Sequence, residues 1–532
     1  MRPLLCLFVL LLQAAAPAGD APSAQTAATR KPNFVFILGE GHGWSSTSVD
    51  MDGTPPSDAR PAGLTPNLEA MAKQGMRFSD FYASCPRCTP SRASFFTGIS
   101  PAKLHMTYVN EGGAGKREGG GKGGKGGGKG GGGGKGGGGG NDAAAPADDA
   151  AKYPLMRMIA PSPEMELPAD VKTTGDVLRG AGYATAHFGK WHAGRMDPTK
   201  HGFDVSDGPN TNQGPDRGEA PNPKQSTVIT DRGIDFMRQQ VKAGKPFFLQ
   251  MSHYGCGSEA EATPESVAEV QKLMPQLQGK QLGSVAGMRD MDTAIGRVMA
   301  ALKELGIADN TYVFFSTDHG TPGGGSARGV GANPPLTGAK GSVNDGGIRV
   351  PFLAWGPGVK ADTTSHVRAT GMDLLPTMLD LAGKPLAKPE KPDARNVVEG
   401  GSLSSVLKNG GQGTVARPRE EIVVHFPHYD LSNGGPASAI FMGDLKLIRN
   451  YDTGKVSLYD IVKDPGESRD LAAKMPDKVK DLEARLDAYL KAVDAQMPRP
   501  NPEAGKASDS GAGSTNNGKG KKPNGKGSTN DA

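Results

Sequence analysis

The chain has 532 residues, 36% of them hydrophobic and 78 of them glycine, with a net charge of +5. That length allows a large core and two domains, and it excludes a small disulfide-stapled scaffold. The positive balance is local: the 111–141 stretch carries +4 and the 501–532 tail +2, so the rest sits near −1, with no basic excess to suggest a nucleic-acid partner.

In chain order, Arg2 is followed by an apolar run from Leu4 to Leu12 and by small residues around Ala14 to Ala18. This is the pattern of a secretory signal peptide, here spanning 1–20. The run is too short to cross a bilayer, and no later stretch approaches about 20 consecutive apolar residues. The mature chain is therefore expected to be exported, periplasmic or secreted, with no membrane span. Cys6 leaves with the signal, so Cys85, Cys88 and Cys256 remain, and an odd count in an oxidising compartment leaves at least one thiol free, modified or paired outside the chain.

Short apolar runs suited to buried strands follow: NFVFIL from Asn33, YATAHF from Tyr183, FFLQMS from Phe247 and YVFFST from Tyr312. Helices alternate with them. One starts at Thr65-Pro66, carries Leu68, Met71 and Ala72 on one face and stops at Gly75; others are expected over Val285 to Leu305 and Met372 to Leu381. Such alternation predicts an α/β fold, a mixed central sheet flanked by helices. The 111–150 insert and the 500–532 tail lack the apolar surface needed to offset the entropy of ordering and are expected to be disordered. Two readings stay open for them: tolerated additions, or mobile lysines that hold the protein near a polyanion. The 416–499 part reads as a smaller C-terminal α+β subdomain, with a helix over Asp477 to Lys491 that stripes Val479, Leu482, Leu486 and Leu490 on one face.

Each strand candidate is followed at once by polar residues: Glu40 and His42, Lys190 and His192, His253, then Asp318 and His319. In open α/β sheets, ligands bind beyond the carboxyl ends of the strands, so four strands are expected to deliver these groups to one rim. Acidic and imidazole groups suit a divalent cation; lysines and histidines suit an oxyanion. Three readings compete for Cys85-Pro86-Arg87-Cys88: a redox pair, half of a metal site, or one cysteine with a task beside a bystander.

The stretch CTPSRASFFTG (Cys88 to Gly98) resembles the sulfatase signature, in which Cys-x-Pro-Ser-Arg opens a helix ending in Thr-Gly. Other segments follow in family order: KPNFVFIL, TPNLEAMAKQGMRFSDFYA, GKWHAG, HGFD, TDHG, GGIRVPF and SLYDIVKDPGESRDLA. The resemblance covers about Lys31 to Pro498 apart from the insert, is nearest to the arylsulfatase A and N-acetylgalactosamine-6-sulfatase branch, and implies an alkaline-phosphatase-like fold with a catalytic domain over 31–415. It also implies that Cys88, which stands in the signature register, is oxidised to formylglycine by a maturation enzyme, leaving Cys85 outside the motif.

In that family the hydrated aldehyde is the nucleophile: one hydroxyl attacks sulfur, the alcohol leaves, and the second hydroxyl expels sulfate. By the same resemblance the metal is Ca2+, held by Asp318, His319, position 88 and Glu40. Arg92 would hold the diol; Lys190, His192 and Lys340 would surround the sulfate, with His192 as base. Two departures stand out. Paired aspartates are usual where this chain has Glu40-Gly41, so one carboxylate is missing; His42 could turn in, although nitrogen suits calcium less well than oxygen. The usual Pro-His pair after the third strand is replaced by Cys256-Gly257, leaving His253 as the candidate leaving-group acid, with a packing role equally open. His425 and His428 in HFPHY are candidates for reading the alcohol part of a sulfated saccharide or small sulfate ester, or are incidental edge-strand imidazoles. Two rival functions remain at this stage: a phosphonate or phosphate monoesterase of the same fold, and a catalytically weak protein that binds sulfated polysaccharide through its lysines.

Overall fold

The computed structural model describes residues 30–53, 61–109, 156–212, 223–322, 333–430 and 435–504. The expected signal peptide, the 111–150 insert and the tail from 505 onward lie outside the described residues. In chain order the main sheet is built from β1 (Asn33–Gly39), β2 (Met76–Phe78), β3 (Ala184–Gly189), β4 (Val205–Ser206), β5 (Phe247–Ser252), β6 (Thr311–Thr317), β7 (Phe352–Trp355) and β8 (Thr363–Ser365). They lie side by side as β8-β2-β7-β6-β1-β5-β3-β4. β1 runs parallel to β5 and β6, and β3 parallel to β5, while β7 is antiparallel to both its neighbours.

The four apolar runs become β1, β3, β5 and β6, and all residues of β1, β5 and β6 are buried. Both faces are covered, which is why these strands read as continuous apolar runs rather than as alternation. Phe34, Phe36 and Leu38 enter one core with Phe95 and Phe352, while Val35 and Ile37 enter the other with Met237, Ile295 and Val298. Truncating Phe36 to alanine is worth about 3–5 kcal/mol in such a setting.

The flanking helices are α1 (Pro66–Gln74), α2 (Cys88–Thr97), α3 (Ser226–Ala243), α4 (Gly279–Glu304) and α5 (Leu374–Leu381). α4 starts at Gly279 rather than Val285. Its first turns have no apolar period, but Leu282 is buried and Gly283 packs so closely that a Cβ there would lie 2.1 Å from the Ser258 backbone. Tertiary contact overrides the weak local signal.

The C-terminal part is an antiparallel meander of β9 (Ile422–Phe426), β10 (Ala437–Met442), β11 (Leu445–Asn450) and β12 (Val456–Asp460), covered by α6 (Pro476–Ala492). Val423, Ile440 and Leu447 pack with Leu482, Leu486 and Leu490 of α6. Val424, Phe426, Ala439 and Phe441 face the other way, against Tyr82, Cys85 and Cys88. The meander thus clamps the segment that carries the signature cysteine. Ordered chain continues beyond 499: Arg499–Pro500 pairs with Met158–Ile159, and Asn501 N–H donates to the Arg157 carbonyl at 2.8 Å.

Candidate active site

Cys88 is the first residue of α2, and all ten residues of this helix are buried. Pro90 falls in its first turn, where a missing N–H is no loss. Gly98 ends the helix at φ +69°, where a side chain would be strained and would also press on Val398. Arg87, just ahead of Cys88, pairs with Asp430 at 2.6 Å and donates to Tyr108 Oη, tying the helix start to the chain after the meander's first strand.

Arg92 lies one turn after Cys88 and so shares its face of α2. Its Nε donates to Asp318 Oδ2 at 3.0 Å and its Nη1 to the Lys190 carbonyl at 2.8 Å, while buried Nη2 has no partner among the described residues. Asp318 and His319 follow β6. His319 Nδ1 faces the Gly320 carbonyl at 2.8 Å, which turns Nε2 to Cys88 Sγ at 3.1 Å. Donor atoms of Cys88, Asp318 and His319 all lie within 4.8 Å of one another, a trio able to hold one cation. Gly41, at φ +66°, contributes only its N–H, which donates to Asp318 Oδ1 at 3.1 Å.

The parallel strands bring Lys190 and His192 to the same edge. Burial raises the Cys88 thiol, but Lys190, Lys340, His319 and a hydrogen bond from His192 outweigh it and hold the group well below its usual value. His192 is itself lowered, by burial first and then by Lys190, so it is neutral and able to accept a proton. Its backbone sits at φ +49°, in the left-handed region that non-glycine residues rarely adopt. The Lys340 loop is pinned to this corner by two backbone bonds, Lys340 N–H to Thr321 O and Gly341 N–H to Pro86 O, both 2.9 Å.

The geometry bears on five further candidates. Glu40 is not one of the three donors grouped within 4.8 Å, but its Oε1 lies 3.9 Å from Cys88 Sγ; the same oxygen takes Lys190 Nζ and the other takes the Gly255 N–H at 3.1 Å. Burial opposes its ionisation, yet Lys190, Arg92 and Lys340 bring its pKa down to about 2. The physical reason is that a wholly buried lysine needs a counter-charge. His253 follows β5 on the same edge; burial lowers its pKa to about 4, and both ring nitrogens are buried without a partner among the described residues. His425 lies between Val424 and Phe426, so the two-residue period of β9 turns it to the α6 side, where Ser438 Oγ (2.7 Å) and the Gln496 carbonyl (3.0 Å) occupy its nitrogens. His428 bonds Thr107 at 2.8 Å and packs against Tyr108. His42 is buried nearby, its pKa lowered to about 4 chiefly by burial.

Sequence reasoning missed Asn212, whose Oδ1 accepts from Lys190 Nζ at 2.8 Å. No local pattern marks it, since the contact closes across a separation of 22 residues that includes β4. Cys85, Cys88 and Cys256 are all free thiols.

A family model described as Sulfatase matches residues 32–123 and 150–384. N-acetylgalactosamine-6-sulfatase of Sus scrofa is 29% identical over 67% of this chain and 63% of that protein's own length, and arylsulfatase A of Homo sapiens is 26% identical over 90% of this chain and 92% of that one. The fold is similar to that of Ps i-CgsB in complex with k-i-k-neocarrahexaose, with a TM-score of 0.63 and 21% identity over 87% of this chain and 93% of that one. With its mixed, helix-flanked, alkaline-phosphatase-like sheet, the chain belongs to the sulfatase family.

Proposed function

We propose that this protein hydrolyses sulfate monoesters, of a sulfated saccharide or an aryl alcohol, with a nucleophile made from Cys88. The observation that carries the reading is convergence on one atom: Lys190, Lys340, His319 and His192 all act on Cys88 Sγ, with Arg92 one turn away. A sulfate ester resists attack because its oxygens repel nucleophiles, and fixed cations remove that barrier where charge grows. Here Sγ stands where the oxygens of a hydrated formylglycine would be, the group that supplies the attacking hydroxyl.

The donor set fits one divalent cation, held by Asp318, His319 and the side chain at 88, which would offset sulfate charge as a Lewis acid. Calcium is the ion the family resemblance implies; one imidazole, with Gly41 giving no oxygen, makes this a poorer oxygen set than calcium prefers. Arg92 Nη2 is free to bind an oxygen of the position-88 side chain. Lys190 and Lys340 bind sulfate oxygens. His192, neutral and hydrogen-bonded to position 88, takes the proton from the hydroxyl that remains there. The saccharide substrate class is supported by the sulfatases the chain resembles. The leader supports export to a periplasm or beyond, and Cys88-x-Pro90-Ser91-Arg92 supports oxidation during export by a formylglycine-generating enzyme.

The test is the mass of a proteolytic peptide spanning 84–95 from protein exported by its own host, with hydrazine trapping. An aldehyde at 88, together with faster turnover of aryl sulfate than of aryl phosphate, is expected. An unmodified thiol in an exported, folded sample sinks the proposal.

A further inference from the structure

A lysine ammonium has three N–H bonds to place and nothing to accept with. Lys190 gives one to Glu40 and one to Asn212 Oδ1, and no third acceptor meets it among the described residues. Of the charges that act on Cys88, that of Lys190 is the strongest. Two fixed acceptors thus orient the amine and leave its third N–H unspent among the described residues. Because the lysine can only donate, the amide of Asn212 must present its oxygen.

The segment around Asn212 grips the whole Lys190 strand end. Gly189 N–H donates to Asp207 Oδ2 at 2.8 Å, His192 N–H to the Asn210 carbonyl at 2.9 Å, and Asn210 Nδ2 to the Asp207 carbonyl at 2.8 Å. Asn212 therefore follows a segment already fixed to Gly189 and His192, on either side of Lys190.

We propose that Asn212 is a positioning residue for sulfate-ester hydrolysis, a neutral acceptor that aims Lys190 at the substrate without cancelling its charge. The proposal rests on the hydrolase reading above. Glu40 already supplies one anion to Lys190. A carboxylate at 212 would hold the amine equally well but would leave the three groups with a net −1, which repels a sulfate. An alanine would leave the charge intact and let the amine fall back onto Glu40.

The two replacements therefore fail differently, which a merely structural contact would not produce. In full-length protein matured by its own host, Asn212→Ala is expected to lower kcat on 4-nitrophenyl sulfate about tenfold with KM little changed. Asn212→Asp is expected to raise KM, and the Kd for inorganic sulfate read by calorimetry, by about tenfold with kcat nearly kept. Asn212 is exposed, so both variants should keep the wild-type Tm. A purely structural role ranks Asp above Ala in every parameter, because Asp keeps the shape and the acceptor. That ranking, or two variants within about twofold of wild type, overturns the proposal. Wild-type turnover of the aryl sulfate upholds the hydrolase reading whatever Asn212 does. If the wild type is inert toward sulfate esters, that reading fails, and sulfate binding decides Asn212 separately: weaker binding in the Asp variant upholds its role, whereas equal binding, or none by wild type, overturns it.

Discussion

Two buried lysines, Lys190 and Lys446, are both fully shielded from solvent, yet their surroundings are built to opposite ends. Lys446 of β11 meets Asp345 Oδ1 and Glu467 Oε1, each at 2.7 Å. The acids are filled in turn: Tyr82 Oη donates to Asp345 Oδ2 at 2.9 Å, and Asn344 Nδ2 and Asp345 N–H donate to Glu467 Oε2 at 3.0 and 2.9 Å. This cluster is closed. Around Lys190 the shell is open: Glu40 is partly exposed, Asn212 is exposed, and neighbouring Arg92 keeps an unspent N–H bond. A closed set of buried charges fixes how the meander docks, whereas an open one keeps capacity for a ligand.

Exchanging the two lysines for methionine is the sharpest way to break that contrast, and it carries the largest expected effect. Lys446→Met leaves Asp345 and Glu467 buried without their cation, a loss of about 3–5 kcal/mol of stability. Arg349, 3.7 Å from Asp345, offsets part of this. Tm should fall clearly, while kcat of the folded fraction, assayed well below Tm, stays near wild type. Lys190→Met should do the reverse, with turnover collapsing and Tm moving less, because Glu40 can reach water. If Lys446→Met removed activity at unchanged Tm, the closed cluster would be part of the site and the contrast would be wrong.

What could be read in advance follows the range of the interactions. Strands β1, β3, β5 and β6 were legible because burial on both faces leaves unbroken apolar runs, and the residues just past them inherit a common edge from parallel pairing. Cys88 and Arg92 were legible because a helix turn places them together. His425 was not: the strand pattern gives two faces, but only the packed meander shows that its face belongs to α6. Nor was the pairing of Glu40 with Lys190, which lies 150 residues away. Lys446 and Asp345 are separated by 101 residues, and no periodicity joins them.

The next effect is smaller and touches both regions. His187 beside the rim and His425 and His428 in or beside the meander are neutral in the fold, with burial lowering their pKa from 6.5 to about 3, 4 and 3; His253 joins them at about 4. Unfolded, each takes up a proton near pH 6.5. Between that value and the folded one the unfolded chain binds more protons, so stability is complete above about 6.5 and falls as the pH drops. Urea unfolding at pH 7.5, 6 and 5 should show a steady decline, and equal stabilities from pH 7.5 to 5 would mean these rings are protonated in the fold after all.

The smallest effect belongs to Cys85, and it separates a bystander from a partner of Cys88. Both thiols are buried and close in sequence, but their electrostatics diverge. Burial pushes the Cys85 thiol far up, with only weak relief from the Arg87 backbone and charge, whereas Cys88 is drawn down by Lys190, Lys340, His319 and His192. A thiol kept protonated is neither a nucleophile nor a partner for rapid disulfide exchange. Cys85→Ser should leave kcat/KM on an aryl sulfate within about twofold of wild type, at a stability loss of about 1–3 kcal/mol for a buried hydroxyl without an assured partner. In protein expressed without the maturation enzyme, alkylation should mark Cys88 well before Cys85. Equal labelling, or a large loss of turnover in Cys85→Ser with the aldehyde at 88 still formed, would make the two cysteines a working pair and return the open character of this corner to thiol chemistry.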